Sequence, residues 1–328
     1  MNKKSKKRLF KKIVSWAGLF FFGVAAFMIY HQLSRYSLTD IKKAIIEMPN
    51  KNIAYACLAS FFGYLALSSY DYLALKYIKH KMAMWKWMFA GFLGFAVSNN
   101  AGHAIVSGGA VRYRLYTRWR VAATDIVKMV TFSGFTYLIA CFFLVIVGLL
   151  SSPHHVLSTL SSRYLNWTVM FISISGLLFY LWGCIFYKKP IIIKEIEFEM
   201  PSVKLAFAQI FIGGADILMA SLVLYFLMES YIDVPFFTFI GVFIIAQMLG
   251  IYSQVPGGLG VFEVVFTNLL PDDEDQAMLF AVLILYRLIY YLLPLILSGI
   301  ALFCYEFEWS ERKFYKKIKK RVDKPADI

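Results

Sequence analysis

Three charged residues stand within long apolar stretches of the chain. They are Asp216 in Gly213-Gly214-Ala215-Asp216, Arg287 in Leu285-Tyr286-Arg287-Leu288, and Glu263, three residues after Pro256-Gly257-Gly258-Leu259-Gly260. A charge in such surroundings is expensive and is usually kept for a partner or a cavity. Their signs allow a buried pair, with Glu263 or Asp216 neutralising Arg287. Glu263 also fits a simpler role, an acid in the first turn of a helix that complements its dipole. In the preceding break, proline removes a donor, while Gly257, Gly258 and Gly260 permit left-handed dihedrals and close backbone approach. A helix starting near Val261 would aim free N–H groups at the break, which suits an anion such as a lipid phosphate. A tight packing loop without a ligand accounts for the same residues.

A second segment is richer still: Ser107-Gly108-Gly109-Ala110-Val111-Arg112-Tyr113-Arg114-Leu115-Tyr116. Arginine grips phosphate oxygens through two parallel hydrogen bonds. Arg112 and Arg114, next to Gly108 and Gly109, are therefore candidates for holding a lipid headgroup. The competing explanation is basic anchoring at the membrane face with an aromatic belt, which suffices for Arg118 and Arg120. His103 could shuttle a proton or serve as a structural donor in a turn. His154-His155 has no acid or cysteine at metal-ligand spacing, and Cys57, Cys141, Cys184 and Cys304 are scattered through apolar runs. No metal and no cofactor is expected. With no nucleophile elbow, phosphate loop or dinucleotide fingerprint in a usable context, no catalytic residue is expected either.

The elements that must position these residues are membrane helices. Of 328 residues, 60% are hydrophobic and 16% charged, against roughly 45–50% and about 25% in ordinary soluble domains. That much apolar surface cannot be hidden inside one core. The net charge of +14 is concentrated at the ends. Seven basic residues lie in the first twelve positions, and a second group runs from Arg312 to Lys324. Both flank apolar spans, where they hold the chain on the cytoplasmic side and meet anionic headgroups. No nucleic-acid module accompanies them.

Six segments approach the 20 or so apolar residues a crossing needs, at about 13–31, 53–75, 126–150, 166–187, 205–228 and 277–304. Two more, about 87–110 and 235–270, are interrupted by turn-forming residues. The basic loops before and after 87–110 both want the cytoplasm, so this stretch must enter and leave by one face. Glu229 and Asp233 precede the second broken stretch and Asp272 to Asp275 follow it, all without basic residues, so it turns back from the other face. The expectation is an all-α polytopic protein of about six spanning helices plus two re-entrant helical hairpins, with both termini cytoplasmic. Its halves, about 1–150 and 166–305, form an inverted-topology repeat of the kind transporters use. The whole of 1–328 is one membrane domain with a basic tail from 306.

Asn99-Asn100-Ala101-Gly102-His103 leading into Gly108-Gly109-Ala110-Val111-Arg112-Tyr113-Arg114-Leu115-Tyr116, and later Pro256-Gly257-Gly258-Leu259-Gly260-Val261-Phe262-Glu263, resemble the transmembrane region of bacterial lysylphosphatidylglycerol synthase/flippase proteins. Ser69-Tyr70-Asp71-Tyr72-Leu73-Ala74-Leu75 is also similar, and the likeness covers nearly the whole chain. The resemblance implies that the membrane region moves aminoacylated lipid between leaflets of the inner membrane, an activity tied to cationic peptide resistance. It further implies that lipid aminoacylation belongs to a separate cytosolic domain. The sequence runs to Ile328 without such a domain, so the stand-alone membrane module is expected.

The leading expectation is a phospholipid translocase. Arg112, Arg114 and the glycine breaks would hold phosphate, while Glu263, Asp216, Arg287, Asp71 and His103 would set charge and gating. The expected partners are membrane phospholipids, with a homo-oligomer or a separately encoded lipid-modifying synthase as the protein partners compatible with this reading. The rivals are a membrane enzyme acting on a lipid or isoprenoid headgroup, and an accessory subunit that positions such a synthase.

Overall fold

The computed structural model describes residues 46, 48–101, 104–151, 163–193, 195–229, 236–253, 255–269 and 276–322. Long helices dominate: α1 (Asn50–Tyr77), α2 (Met84–Ala101), α3 (Ala104–Arg118), α4 (Ala123–Ser151), α5 (Arg163–Phe186), α6 (Val203–Met228), α7 (Phe236–Tyr252), α8 (Val261–Asn268), α9 (Gln276–Tyr286) and α10 (Leu293–Val322). A π-helical segment, Arg287–Leu292, joins α9 to α10 in one continuous rod. A small antiparallel hairpin of β1 (Ile191–Ile193) and β2 (Ile196–Phe198) links α5 to α6, with Ile192 opposite Glu197.

Among the described residues, five helices are long and apolar enough to cross a membrane: Asn50–Tyr77, Ala123–Leu150, Trp167–Phe186, Val203–Met228 and Ala281–Glu308. Each coincides with a span expected from hydropathy. The expected first helix, 13–31, lies outside the described residues, as do His103 and the acids at 272–275. The basic segment after 306 is helical as far as Val322, the last described residue of α10. Lysine and arginine are good helix formers once the rod has been nucleated by its apolar part.

The core is built where small residues let two helices approach. Gly63 of α1 faces Met219 Cβ of α6, with 3.3 Å available to an added Cβ. Gly213 of α6 abuts Thr136 O of α4, and Gly91 of α2 abuts the Ser68 backbone of α1, at 3.0 and 2.8 Å by the same measure. Close backbone approach at small residues is how helices gain contact when lipid offers no hydrophobic drive between them. Around these crossings Tyr64, Leu67, Ile217, Leu224, Phe243 and Tyr286 are buried together. The outward faces keep their apolar side chains: Phe171, Phe179 and Trp182 on α5, Phe211 on α6 and Phe303 on α10 are more than half exposed. A continuous apolar exterior over a polar-stitched interior is a surface for lipid, not water. The chain is a multi-pass membrane protein.

Candidate functional site

The α2–α3 pair is an antiparallel hairpin. Gly94 packs on the Arg112 guanidinium and Ser98 on Gly108, so residues pair across the two helices in descending register. Ser107, Gly108 and Gly109, counted among the turn-forming residues expected to interrupt 87–110, lie inside α3. Their small size serves helix contact instead, since a Cβ on Gly108 would come within 2.7 Å of Gly94 O. Gly109 has ordinary space, with Val130 3.8 Å away.

The second broken stretch is also an antiparallel hairpin. Gly250 faces Gly258, Phe243 meets Phe262 edge-on, and Phe239 meets Phe266, joining α7 to α8. Eight residues of α8 rise only about 12 Å, well under the roughly 30 Å of hydrocarbon. Between the arms lies the turn Pro256–Gly258, with φ of 61° at Gly257, 63° at Gly258 and 79° at Gly260. Only glycine takes up such dihedrals without penalty.

The two hairpins meet at their tips. Asn99 O and Asn100 O, at the end of α2, lie 3.6 Å from where a Cβ on Gly257 would stand. The Asn100 side-chain amide donates to Tyr291 O at 3.1 Å. Arg287 reaches the same place from the π segment. Its Nη1 donates to Gly257 O, its Nε donates to Glu263 Oε1 at 2.8 Å, and Nη2 stands 2.7 Å from the same oxygen. Glu263 Oε2 in turn accepts from Gly260 N–H at 2.8 Å. Both sequence readings of Glu263 therefore hold at once: it caps the first turn of α8 and it pairs with Arg287. The π segment exists beside this cluster because its carbonyls find side-chain donors. Ser60 donates to Ile289 O at 3.2 Å and Tyr64 to Tyr290 O at 3.1 Å, both from α1.

Arg112 and Arg114 are held elsewhere. Arg112 Nε donates to Asp71 Oδ1 at 2.8 Å, and Tyr116 donates to Asp71 Oδ2 at 2.8 Å, in a fully buried cluster. Phe95 covers the guanidinium at 4.2 Å. Arg112 Nη2 has no hydrogen-bond partner among the described residues. Arg114 and Arg118 both pair with Glu306 of α10, at 3.0 and 2.7 Å. The structure thus brings Gly257, Gly258, Gly260, Glu263 and Arg287 together. Asp71 and Arg112 form a second pair within the first hairpin. Asp216 stands apart from both arginines, with Tyr70 and Tyr290 as its partners.

Sequence reasoning missed the tyrosines. Tyr70, Tyr116 and Tyr290 carry the hydrogen bonds to Asp216 and Asp71, yet 18% of the chain is aromatic, so tyrosine type alone singles none of them out. Glu306 was legible as an acid facing a basic segment only once α10 was placed against α3.

A bundle of long apolar helices, with two helical hairpins that touch where the end of α2 meets the Pro256–Gly258 turn over buried ion pairs, defines a class of polytopic membrane protein. The chain belongs to the family described as the lysylphosphatidylglycerol synthase TM region, whose model matches residues 15–298. It is 30% identical to the uncharacterized protein slr0712 of Synechocystis, over 90% of this chain and 92% of that one. It is 29% identical to the inner membrane protein YbhN of Escherichia coli, over 93% and 94%. A phosphatidylglycerol lysyltransferase of Staphylococcus xylosus is 25% identical over 96% of this chain, which spans only 36% of that protein.

Proposed function

We propose that this protein moves a phospholipid between the leaflets of the bacterial inner membrane, with the headgroup passing the junction of the two hairpin tips. The observation that carries this reading is the convergence at Gly257 of the C-terminal end of α2, at Asn99-Asn100, and the buried Arg287. Irregular backbone at membrane depth is tolerated where protein or a cavity surrounds it. In the proposed topology both hairpins are re-entrant, entering from opposite faces, and the two halves form an inverted repeat with cytoplasmic termini. Transporters of that design place their substrate site between the repeats.

In the described state Glu263 sits where a substrate anion would. Its carboxylate takes the Gly260 N–H and the Arg287 guanidinium, the two donors a phosphate would use. A headgroup phosphate competes for those donors, and Glu263 refills them once the lipid has left. Arg112 is then a structural counter-ion of Asp71, not a headgroup ligand. The names of the relatives, an inner membrane protein and phosphatidylglycerol lysyltransferases, support an inner-membrane location and a phospholipid as substrate.

A second reading, as accessory subunit to a lipid-modifying synthase, is favoured by one fact: in the staphylococcal relatives the matching region is part of a much longer lysyltransferase chain. The test is leaflet exchange of labelled phosphatidylglycerol, phosphatidylethanolamine and lysylphosphatidylglycerol in proteoliposomes. The proposal expects exchange of at least one of these well above protein-free vesicles. Rates equal to the protein-free control for all three contradict it.

A further inference from the structure

Asp71, Asp216 and Glu263 are buried carboxylates. Two of them have an arginine at 2.7–2.8 Å: Arg112 for Asp71 and Arg287 for Glu263. Asp216, near the middle of α6 and 3% exposed, has none among the described residues. Among the described residues its oxygens meet phenols, with Tyr70 donating to Oδ2 at 2.9 Å and Tyr290 to Oδ1 at 3.4 Å. The ionisable groups around it are Tyr64 and Tyr70 of α1, Tyr137 and Cys141 of α4, and Tyr290 and Tyr291 of the π segment. None of these described groups brings positive charge. On the other helices against α6, Tyr180 of α5 is bound to Gln209, Tyr286 of α9 is stacked on Phe262, and Tyr252 is the sole ionisable side chain of α7.

We infer that Asp216 is a proton-binding site, loaded in the described state and exchangeable with water during the conformational cycle. A carboxylate deep in a span with hydroxyl donors but no cation is relieved by taking up a proton rather than by staying ionised. The proton passes from a hydronium ion to a carboxylate oxygen, leaving water, and returns by the reverse step, so atoms and charge balance without any further reactant.

The position suits coupling. Tyr70 immediately precedes Asp71, which holds Arg112 and with it the first hairpin. Tyr290 lies in the π segment that carries Arg287, which holds the second hairpin's turn. Loss of the proton leaves a negative charge between these two assemblies. The available relief is entry of water or movement of a cation, and either requires the Tyr290 segment to repack. π-Helical segments recur at functional sites of this kind. The coupling, unlike the proton site, rests on the transport reading above.

The test is infrared spectroscopy of the purified protein in lipid at neutral pH, before and after exchange into heavy water. The protonated-carboxyl stretch is expected in wild type, shifted by deuterium, retained in Glu263→Gln and lost in Asp216→Asn. Tyr290→Phe, which removes one hydroxyl from Oδ1, is expected to move the band's frequency while keeping it. This gives a second readout if Asp216→Asn fails to fold. A spectrum that Asp216→Asn and Tyr290→Phe both leave unchanged overturns the assignment. In parallel, lipid exchange by wild type should change several-fold between mildly acidic and mildly alkaline pH, and Asp216→Asn should flatten that profile. A protein that shows the band but moves no lipid keeps the proton site and sinks the transport reading instead.

Discussion

Glu263 Oε1 lies 2.7 Å from Arg287 Nη2, while the other oxygen of the same carboxylate caps Gly260 N–H. One side chain thus closes the tip of the second hairpin onto the rod that follows it. Breaking a buried pair leaves an uncompensated charge, which costs roughly 3–5 kcal/mol. Glu263→Gln and Arg287→Gln are each expected to lower thermal stability in lipid by that order. The exchanged double variant, Glu263→Arg with Arg287→Glu, should recover part of the loss. It should fall short of wild type because Gly260 N–H and Gly257 O lose their partners. A double variant no more stable than the singles would deny that the two charges meet.

The Asp71–Arg112–Tyr116 cluster makes a parallel prediction with a different signature. Arg112→Ala should be as damaging as Asp71→Asn, roughly 3–5 kcal/mol. Tyr116→Phe, which deletes one neutral donor, should cost only about 0.5–1.5 kcal/mol. If Arg112 instead served mainly to bind headgroups, Arg112→Ala would leave the melting temperature near wild type while abolishing transport.

The glycines of the first hairpin separate packing from flexibility. Gly94→Ala places a methyl 2.8 Å from the Arg112 guanidinium, and Gly108→Ala places one 2.7 Å from Gly94 O. Overpacking of this kind costs typically 1–3 kcal/mol. Gly214→Ala meets nothing within 4 Å and sits in a helix, where alanine is favoured over glycine by up to about 1 kcal/mol. Melting temperatures should therefore fall for the first two and hold or rise for the third. Equal effects at all three positions would contradict the packing account.

Glu306 offers the mildest case. It pairs with Arg114 and Arg118 at a partly exposed site, where ion pairs contribute at most about 1 kcal/mol. Glu306→Gln should shift the melting temperature slightly, and the shift should shrink as salt is raised. A loss as large as that of Glu263→Gln would mean that α10 is tied to the first hairpin far more strongly than these contacts provide.

Much of this architecture was legible because lipid is a severe solvent. Apolar runs at 53–75, 126–150, 166–187, 205–228 and 277–304 could be little other than helices, and helices cover them all but for Tyr187, the last run being shared by α9, the π segment and α10. The glycines at 257, 258 and 260 announced a turn because three close together cannot sustain a helix. Ser107-Gly108-Gly109 misled for the opposite reason: glycine also serves close helix contact, and only the partner helix α2 tells the two uses apart. For Arg287 the sequence offered two opposite charges, Glu263 and Asp216, and did not choose between them; the structure pairs it with Glu263. Pairing was not legible for Arg112, because Asp71 lies 41 residues away on a helix whose facing side the sequence does not mark. The tyrosines around Asp216 were hidden by sheer aromatic abundance.

The most direct test of the central claim is leaflet exchange by Gly257→Ala beside wild type. Gly257 is in the left-handed region at the hairpin junction, touches Asn99 and Asn100 across it, and belongs to neither side chain of the ion pair. If the headgroup passes this junction, exchange should fall at least about tenfold, the equivalent of roughly 1.4 kcal/mol of barrier, while the folded protein persists in thermal melts. Exchange at the wild-type rate in a folded Gly257→Ala protein would place the lipid's path elsewhere and contradict the account.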